Sequence, residues 1–240
     1  MNVRFLPAGD TAVIVEFGDR IDRVVSDRVL RLSALVRAEN LPGVVETVPT
    51  FRSLMVHYDP LATTSANLNA AIEKLLDSSR GETKPVKLWR IPACYAASHA
   101  PDLAEVAQRT GLSAAEVVRL HSGTRFHIYM IGFVPGYPYM GDLPEPLVLP
   151  RRADPRVRVP AGSIAIATNM TGIYPLESPG GWHLIGATPI RLFDLRRPRP
   201  ALLSPGDAVR FEPIAVPEFD AIRAAVSADA YQVPCETIAA

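Results

Sequence analysis

The sequence has little lysine and little cysteine, and each shortage excludes a class of chemistry. Only three of the 25 basic residues are lysines, and none of them follows Lys87. The C-terminal half therefore offers no lysine for a Schiff base, a biotinyl group or a phosphate-binding loop, so we expect no covalent cofactor on this chain. Cys94 and Cys235 lie far apart in the sequence, which argues against a disulfide framework and favours the reducing cytoplasm.

Several other features are missing. No apolar run approaches the ~18 residues that a membrane-spanning helix needs, and the N-terminus lacks the layout of a secretory signal. The formal net charge at pH 7 is zero, which argues against nucleic-acid binding by counterion release. The five histidines show no metal-ligand spacing, and no Walker loop, dinucleotide fingerprint or nucleophile elbow occurs. We therefore predict a cytoplasmic protein with no metal, membrane or nucleic-acid partner.

Residues 1–90 predict an N-terminal α/β domain. Alternating and helical apolar periodicities give the order β-α-β-β-α-β, which is typical of a ferredoxin-like fold. The predicted strands span 11–17, 44–48, 54–58 and 86–91. One predicted helix buries Val25, Val29, Leu32 and Val36, and the other buries Leu68, Ile72, Leu75 and Leu76.

Residues 91–131 predict a helical connection, with a junction between Gly123 and Gly132. A helix ended by Gly111 precedes a second helix that begins with a Ser113–Glu116 capping box. After this connection the composition changes, because 16 of the 23 prolines lie at or after Pro135. Short strands, among them Ile164–Ala167 and Ile190–Phe193, predict an all-β barrel or sandwich over 132–225, followed by a frayed tail over 226–240. The predicted fold class is α+β.

The segment 132–186 is dense in glycine, proline and aromatic residues, which indicates a shaped binding surface or a set of tight turns. Four arginines lie in its middle, at positions 151, 152, 156 and 158. In an extended strand Arg156 and Arg158 point to one face, where guanidinium groups would suit a carboxylate or phosphate. A solvated surface turn is the alternative interpretation.

Residues 171–182 (TGIYPLESPGGW) combine polar side chains with paired glycines. Consecutive glycines allow backbone N–H groups to converge on an oxyanion, and Glu177 is a candidate general base. The alternative is a tight hairpin with an exposed glutamate. Among the histidines, His183 is the best site candidate, whereas His121 is expected to be a charged helix cap and His127 to be structural.

Longer motifs resemble one family. GFVPGYPYMGDLP, PRRADPRVRVPAGSIAIA, TGIYPLESPGGWHLIG and TPIRLFD occur in that order, together with GDTAVIVEFGDRID, PTFRSLMVHYDP and IPACY. This pattern resembles the family of prokaryotic 5-oxoprolinase B subunits, which includes the kinase inhibitor KipI and is also called allophanate hydrolase subunit 1. The resemblance covers nearly the whole chain and implies an N-terminal α/β domain followed by a cyclophilin-like β-barrel.

The resemblance also implies a function. The family member works with the A and C subunits to open 5-oxoproline to glutamate with ATP and Mg²⁺, the nucleotide being shared with these partners, and it is inactive alone. Two alternatives remain open: a carboxyltransferase component acting on urea or a related amide, and a KipI-type inhibitor that binds a sensor histidine kinase. Four residues depart from the family pattern and leave the substrate undecided. They are Ala96 and Ala97 in place of glycines, Met170 in place of glutamine and Ala187 in place of arginine.

The predicted site combines both lines of reasoning. The substrate pocket is expected between the loop 132–139, the segment 156–163 and the loop 174–183. Glu177, Arg158 and Tyr174 are the predicted catalytic residues. The predicted substrate-binding residues are Pro135, Gly136, Tyr137, Tyr139, Arg156, Gly162, Ser163, Ser178, Gly180, Gly181 and His183.

Overall fold

A computed structural model describes residues 3–78 and 85–238, and the chain divides into two compact units. The first unit is Met1–Lys84 and the second is Pro85–Ala240. Residues 91–131 do not form the separate helical connection that was predicted, because their helices belong to the second unit. Val106 and Val117 from these helices share one hydrophobic core with Ile164, so the division lies well before Gly123.

The first unit is an antiparallel sheet with two helices. Its elements are β1 (Arg4–Pro7), β2 (Ala12–Glu16), α1 (Arg23–Ala38), β3 (Val44–Pro49), β4 (Ser53–Tyr58) and α2 (Ser65–Ser78). The sheet order is β1-β2-β4-β3, and each neighbouring pair is antiparallel.

Periodicity explains the helices and strands of this unit. Helix α1 is capped at its N-terminus by Asp22, whose carboxylate accepts the Val25 N–H at 2.8 Å. Its buried face contains the predicted apolar residues, and β4 alternates between half-buried and buried residues as predicted. The apolar faces of α1, α2 and the sheet pack together in one hydrophobic core. Such packing is the main source of stability for helices of this length.

The prediction that residues 86–91 form the fourth strand of a ferredoxin-like N-terminal domain is wrong. Strand β5 (Val86–Ala93) pairs in the second unit, parallel to β13 (Ala208–Pro213) and antiparallel to β14 (Cys235–Ile238). In the first unit β1 occupies the edge beside β2 instead. An apolar strand fits either sheet locally, so its choice of partner depends on residues more than a hundred positions away.

The second unit contains the remaining elements. In chain order from β5 they are α3 (Leu103–Thr110), α4 (Ala114–Gly123), β6 (Phe126–Ile131), β7 (Pro138–Gly141), a 3₁₀ helix (Glu145–Leu147), β8 (Arg156–Val159), β9 (Ser163–Ala167), β10 (Met170–Ile173), β11 (Ser178–Gly180), β12 (His183–Ala187), β13, α5 (Val216–Ser227) and β14.

Eight of these strands form one sheet, in the order β12-β9-β10-β7-β6-β13-β5-β14, while β8 and β11 form a two-stranded ribbon. Beyond the end of β5, Cys94 meets Ala187 in a single bridge with N–H···O distances of 2.8 and 2.9 Å. Across the described residues this bridge does not extend into a ladder, so the strands do not form a closed barrel. The predicted cyclophilin-like barrel is not confirmed, and the architecture is mixed α/β.

Two local predictions in this unit are also corrected. The tail is not wholly frayed, because β14 adds an edge strand to β5 with Cys235 opposite Trp89. Ile190–Phe193 is not a strand. Ile190 and Leu192 fill the core, but the backbone there makes only one isolated bridge, between Phe193 and Ala201. In the described ranges, none of the helices is both long and apolar enough to cross a membrane.

Candidate functional site

Four aromatic side chains of the second unit lie together and are named here the aromatic cluster: Tyr137, Tyr139, Tyr174 and Trp182. The ring centroid of Tyr137 lies 4.9 Å from that of Tyr139, 5.1 Å from that of Tyr174 and 6.0 Å from that of Trp182. Tyr139 is half-buried and the other three are buried. The structure therefore brings together three tyrosines that the sequence assigned to the site.

Strand pairing fixes the backbone of the aromatic cluster. Tyr139 in β7 lies opposite Gly172 in β10. The backbone of Tyr174, just after β10, is held by two hydrogen bonds: its N–H donates to the Ser163 carbonyl oxygen at 2.9 Å, and its carbonyl accepts the Gly162 N–H at 2.7 Å. Gly162 and Ser163 thus hold Tyr174 in position through the main chain, and their predicted contact with a substrate stays a prediction.

Two glycines make room for the tyrosine hydroxyl groups. A Cβ atom at Gly172 would lie 2.4 Å from the Tyr137 hydroxyl oxygen, and a Cβ at Gly180 would lie 2.2 Å from that of Tyr174. Real Cβ contacts are longer than this, so any larger residue would displace a hydroxyl group. Glycine is therefore required at both positions, because a tyrosine side chain approaches the backbone closely at each.

The hydroxyl groups of the cluster are neutral donors. Burial raises the pKa of Tyr137 well above its usual value and also raises the pKa of Tyr139 and Tyr174. The Tyr174 hydroxyl oxygen faces the hydroxyl of Tyr137 and the backbone N–H of Trp182 as hydrogen-bonding groups. All three tyrosines therefore keep their protons at neutral pH, and the site offers O–H groups to a ligand oxygen.

Arg151 adds a positive charge to the aromatic cluster. Its guanidinium lies close enough to lower the pKa of Tyr137, Tyr139 and Tyr174, against the larger effect of burial. The sequence shows Arg151 as one of four neighbouring arginines and does not single it out. Only the folded chain distinguishes it, because each of the other three arginines has a carboxylate partner.

Arg158 and Glu177 form a surface ion pair with each other. The Arg158 Nε and Nη2 atoms donate to the two Glu177 carboxylate oxygens at 3.0 Å each. Both side chains are largely exposed, at 76% and 52%. In this arrangement the Arg158 guanidinium and the Glu177 carboxylate pair with each other at the surface, where solvent screens the pair.

Arg156 has a different partner from Arg158. It donates to the two oxygens of Asp102 at 2.9 and 2.6 Å, and the Leu184 N–H donates to the same carboxylate at 2.7 Å. Asp102 is only 3% exposed. Arg156 thus neutralises a buried charge, since a buried carboxylate needs a paired cation. Arg156 and Arg158 thus contact different carboxylates here, and their predicted role in binding an anion stays a prediction.

The paired glycines do not form the predicted nest of N–H groups. Such a nest needs backbone of alternating handedness, and within the described residues neither Gly180 nor Gly181 has a positive φ. Gly180 pairs with Arg156 in the β8–β11 ribbon, and the Gly181 carbonyl accepts the Arg152 N–H at 2.8 Å.

Ser178 in β11 and His183 in β12 are both buried. The His183 Nε2 atom donates to the Pro150 carbonyl oxygen at 3.0 Å. In the described part of the chain, His183 Nδ1 and Ser178 Oγ have no hydrogen-bond partner. His183 therefore anchors the chain just before Arg151, and no contact places it against a tyrosine hydroxyl.

The loop before β7 carries the last predicted residues, Pro135 and Gly136. Gly136 has a φ of 81°, and the Gly132 N–H donates to the Tyr137 carbonyl oxygen at 3.1 Å. Phe133 at the tip of this loop is 59% exposed, with its ring centroid 5.7 Å from that of Tyr137. The loop thus forms an apolar edge of the aromatic cluster.

The opposite side of β10 carries a buried polar chain. His121 Nδ1 lies 2.8 Å from the Tyr95 hydroxyl, and His121 Nε2 lies 2.9 Å from the Thr171 hydroxyl. Complete burial lowers the pKa of His121 to about 3. The prediction of a charged helix cap is therefore wrong: His121 is neutral and belongs to the core.

The described residues contain no group of three or more His, Cys, Asp or Glu side chains placed to hold a metal ion. The chemistry of the aromatic cluster is that of neutral hydroxyl donors beside one guanidinium, which suits a ligand with an oxygen acceptor and a negative charge.

Known proteins share this sequence and fold. Residues 3–203 match the family model described as carboxyltransferase domain, subdomain C and D. The B subunit of 5-oxoprolinase from Escherichia coli O157:H7 is 40% identical over 205 residues, which cover 85% of this chain and 93% of that protein.

Two solved structures are similar. The crystal structure of TTHA0988 is 36% identical with a TM-score of 0.76, and the match covers 85% of this chain. The match covers only 40% of that solved chain. The K. lactis urea amidolyase has a TM-score of 0.79 over 98% of this chain and 16% of its own, at 21% identity, and so shares the fold.

These matches confirm the family that the sequence motifs indicated. The family model covers more than half of the chain, and the E. coli relative is aligned over most of both proteins. The chain belongs to the family of carboxyltransferase domains, subdomains C and D.

Proposed function

We propose that the chain is the B subunit of an ATP-dependent 5-oxoprolinase complex, which opens 5-oxoproline to glutamate. The 40% identity to a protein of that name, over 85% of this chain and 93% of the relative, is the observation that carries the proposal. The proposal extends to A and C subunits as partners, to a cytoplasmic location and to Mg²⁺ and ATP shared with those partners.

The aromatic cluster supports this chemistry. Opening a stable lactam places negative charge on the amide oxygen, and preorganised donors stabilise such charge. Tyr174 and Tyr137 are buried O–H donors whose pKa values are raised by burial, so they remain protonated at the pH of the reaction. In the proposed complex the Tyr174 hydroxyl, whose oxygen accepts from Tyr137, donates to the amide oxygen, and the buried rings exclude water from that side.

The test is reconstitution. The chain is co-expressed with the A and C subunits, and glutamate release from 5-oxoproline is measured with and without ATP. We expect ATP-dependent glutamate release from the complex and none from the chain alone. Absence of glutamate release from the purified complex of all three proteins, or full turnover by the isolated chain, would contradict the proposal.

A carboxyltransferase component acting on urea or a related amide is the second candidate. It is favoured by the fold shared with the urea amidolyase and by Ala187, which departs from the arginine of the 5-oxoprolinase pattern. Supplying the chain and its C subunit with urea, bicarbonate, ATP and a biotin carboxylase with its biotin carrier distinguishes the two. Carboxylation of urea in that assay, with no glutamate release from 5-oxoproline in the parallel assay, would favour this candidate.

A further inference from the structure

A cavity of about 350 Å³ lies in the second unit, and none of the residues that line it belongs to the aromatic cluster. One wall is the loop that follows β12, and the other is the end of α5 together with the chain after it. The family model matches residues 3–203, so the second wall, formed by residues 226–233, lies outside that match. The cavity is therefore not built from the family motifs alone.

Two aspartates join the walls of this cavity. The Asp194 carboxylate accepts from Arg191 Nη1 at 2.9 Å and from Arg196 Nη2 at 2.7 Å. Asp229, just after α5, accepts from Arg196 Nη1 and Nη2 at 2.8 and 2.9 Å. Asp229 has a φ of 53°, in the left-handed region that aspartate enters more readily than most residues. Arg196 thus ties the loop to the end of the helix, and the two carboxylates neutralise Arg191 and Arg196.

Arg197 is the third arginine of the cavity, and among the described residues it has no carboxylate partner. Its Nη2 atom donates to the Arg191 carbonyl oxygen at 2.7 Å. Its Nη1 atom is buried and, in the part of the chain that the structure describes, has no hydrogen-bond partner. Burying a donor without an acceptor is costly, and more so when the donor is charged. Three arginines against two aspartates leave one positive charge, which Arg197 carries at the cavity wall.

Apolar side chains form the rest of the lining. Ile190 is buried in the hydrophobic core, and Val226, Tyr231 and Val233 pack against that core while they also line the cavity. Apolar walls with a few placed polar groups are typical of small-molecule sites of this size. We propose that the cavity binds a small organic carboxylate, with a carboxylate oxygen on Arg197 Nη1 and an apolar body against Tyr231 and the two valines. This site is separate from the aromatic cluster and does not depend on the proposed function.

A single carboxylate suits the cavity better than a phosphate. One unneutralised guanidinium offsets one negative charge, whereas a phosphate carries more charge and is usually held by several backbone N–H groups or further cations. Asp194 and Asp229 would repel that additional charge. A neutral ligand would leave the Arg197 charge without a counter-charge, and a wholly polar anion would leave the apolar walls uncovered.

The test compares matched ligands and matched arginines on the full-length chain. Nuclear magnetic resonance of the valine methyl groups follows the addition of benzoate, of its neutral analogue benzamide, of 5-oxoproline and of inorganic phosphate. The signals of Val226 and Val233 report on the cavity, and Val56 in the core of the first unit is the reference. The variants are Arg197→Gln and Arg199→Gln, the latter removing an exposed arginine of the same loop that does not line the cavity.

Benzoate should shift the Val226 and Val233 signals saturably, with a dissociation constant on the order of 1 mM or below, as is reasonable for a ligand of this size. Benzamide, phosphate and 5-oxoproline, whose lactam ring is polar, should each bind roughly tenfold more weakly or worse. Arg197→Gln should lower the affinity for benzoate roughly ten- to a hundredfold, the range of one charge-assisted hydrogen bond. Arg199→Gln should match the wild type.

Three results would overturn the proposal: no saturable shift of the Val226 and Val233 signals up to about 10 mM benzoate, benzamide or phosphate binding as tightly as benzoate, or an unchanged benzoate affinity in Arg197→Gln. Tighter binding of 5-oxoproline than of benzoate would make the cavity a substrate site and would equally refute a separate site. If Arg197→Gln does not fold, the comparison of benzoate with benzamide on the wild-type chain decides. Glutamate release by the reconstituted complex is measured independently, so the proposed function stands or fails on its own assay.

Discussion

Acid should destabilise the second unit through His121. The Thr171 hydroxyl donates to the Ala165 carbonyl oxygen at 3.0 Å, so its oxygen must accept from His121 Nε2 at 2.9 Å. His121 Nδ1 then accepts from the Tyr95 hydroxyl at 2.8 Å. Both ring nitrogens are used in the neutral tautomer, and a second ring proton would confront the Tyr95 hydroxyl with another donor.

The magnitude follows from the pKa of His121, which burial lowers from 6.5 to about 3. Because the unfolded chain binds the proton at higher pH than the folded chain, this contribution is complete above pH 6.5 and is lost as the pH falls towards 3. One such group costs about 1.4 kcal/mol for each pH unit below 6.5. Between pH 7 and pH 5 the expected loss of unfolding free energy is about 2 kcal/mol.

Urea unfolding followed by tryptophan fluorescence measures this loss. Both tryptophans of the chain, Trp89 and Trp182, lie in the second unit, so the signal reports on that unit. His121→Phe should be less stable at pH 7 but should lose the part of the pH slope that His121 supplies. His99→Asn is the control, since it removes a partly exposed histidine of the same unit and should keep the wild-type slope.

A direct titration decides the matter even if His121→Phe does not fold. Nuclear magnetic resonance of the histidine rings in the wild-type chain should show one imidazole that stays neutral down to the pH at which the unit unfolds. A His121 resonance that titrates near pH 6.5 in the folded chain, or an unchanged pH slope in a folded His121→Phe variant, would refute the reasoning.

Three further predictions concern other parts of the second unit. Asp102→Asn leaves its guanidinium partners facing a neutral amide in a buried site, and we expect a loss of about 3 kcal/mol of unfolding free energy, measured by urea denaturation; wild-type stability would contradict the buried ion pair. Gly180→Ala should lower the melting temperature and weaken 5-oxoproline binding, because its Cβ would lie 2.2 Å from the Tyr174 hydroxyl. Gly181→Ala is the control and should do neither, because its Cβ would meet Pro155 at an ordinary contact distance of 3.6 Å. Arg158→Ala should leave the melting temperature unchanged, since solvent screens its exposed ion pair; a roughly tenfold or greater fall in kcat/KM on the complex, with unchanged stability, would return that arginine to the substrate site.

Local patterns in the sequence were reliable where neighbouring residues settle the outcome. The 3.6-residue spacing of Val25, Val29, Leu32 and Val36 gave the buried face of α1, and the Ser113–Glu116 capping box gave the start of α4. In both cases the interacting residues are within a few positions of each other. The ordered motifs likewise sufficed to identify the family, because they record which residues the fold requires.

Long-range pairing was not predictable in the same way. Val86–Ala93 has the composition of a strand for either unit, and its partners β13 and β14 come from the last part of the chain. The tail looked frayed because Cys235–Ile238 is short and mostly exposed. It is a strand only because β5 presents a free edge to it.

The sequence by itself determined the family, the first four helices, a part of the strands and the concentration of tyrosines, glycines and arginines between positions 132 and 186. Only the tertiary structure decided which arginine remains available for a ligand. Arg152, Arg156 and Arg158 have carboxylate partners at 3.3, 2.6 and 2.9 Å, two of them on a residue about fifty positions away. Charge pairing depends on distance in space, and a sequence that gives the charges does not give their partners.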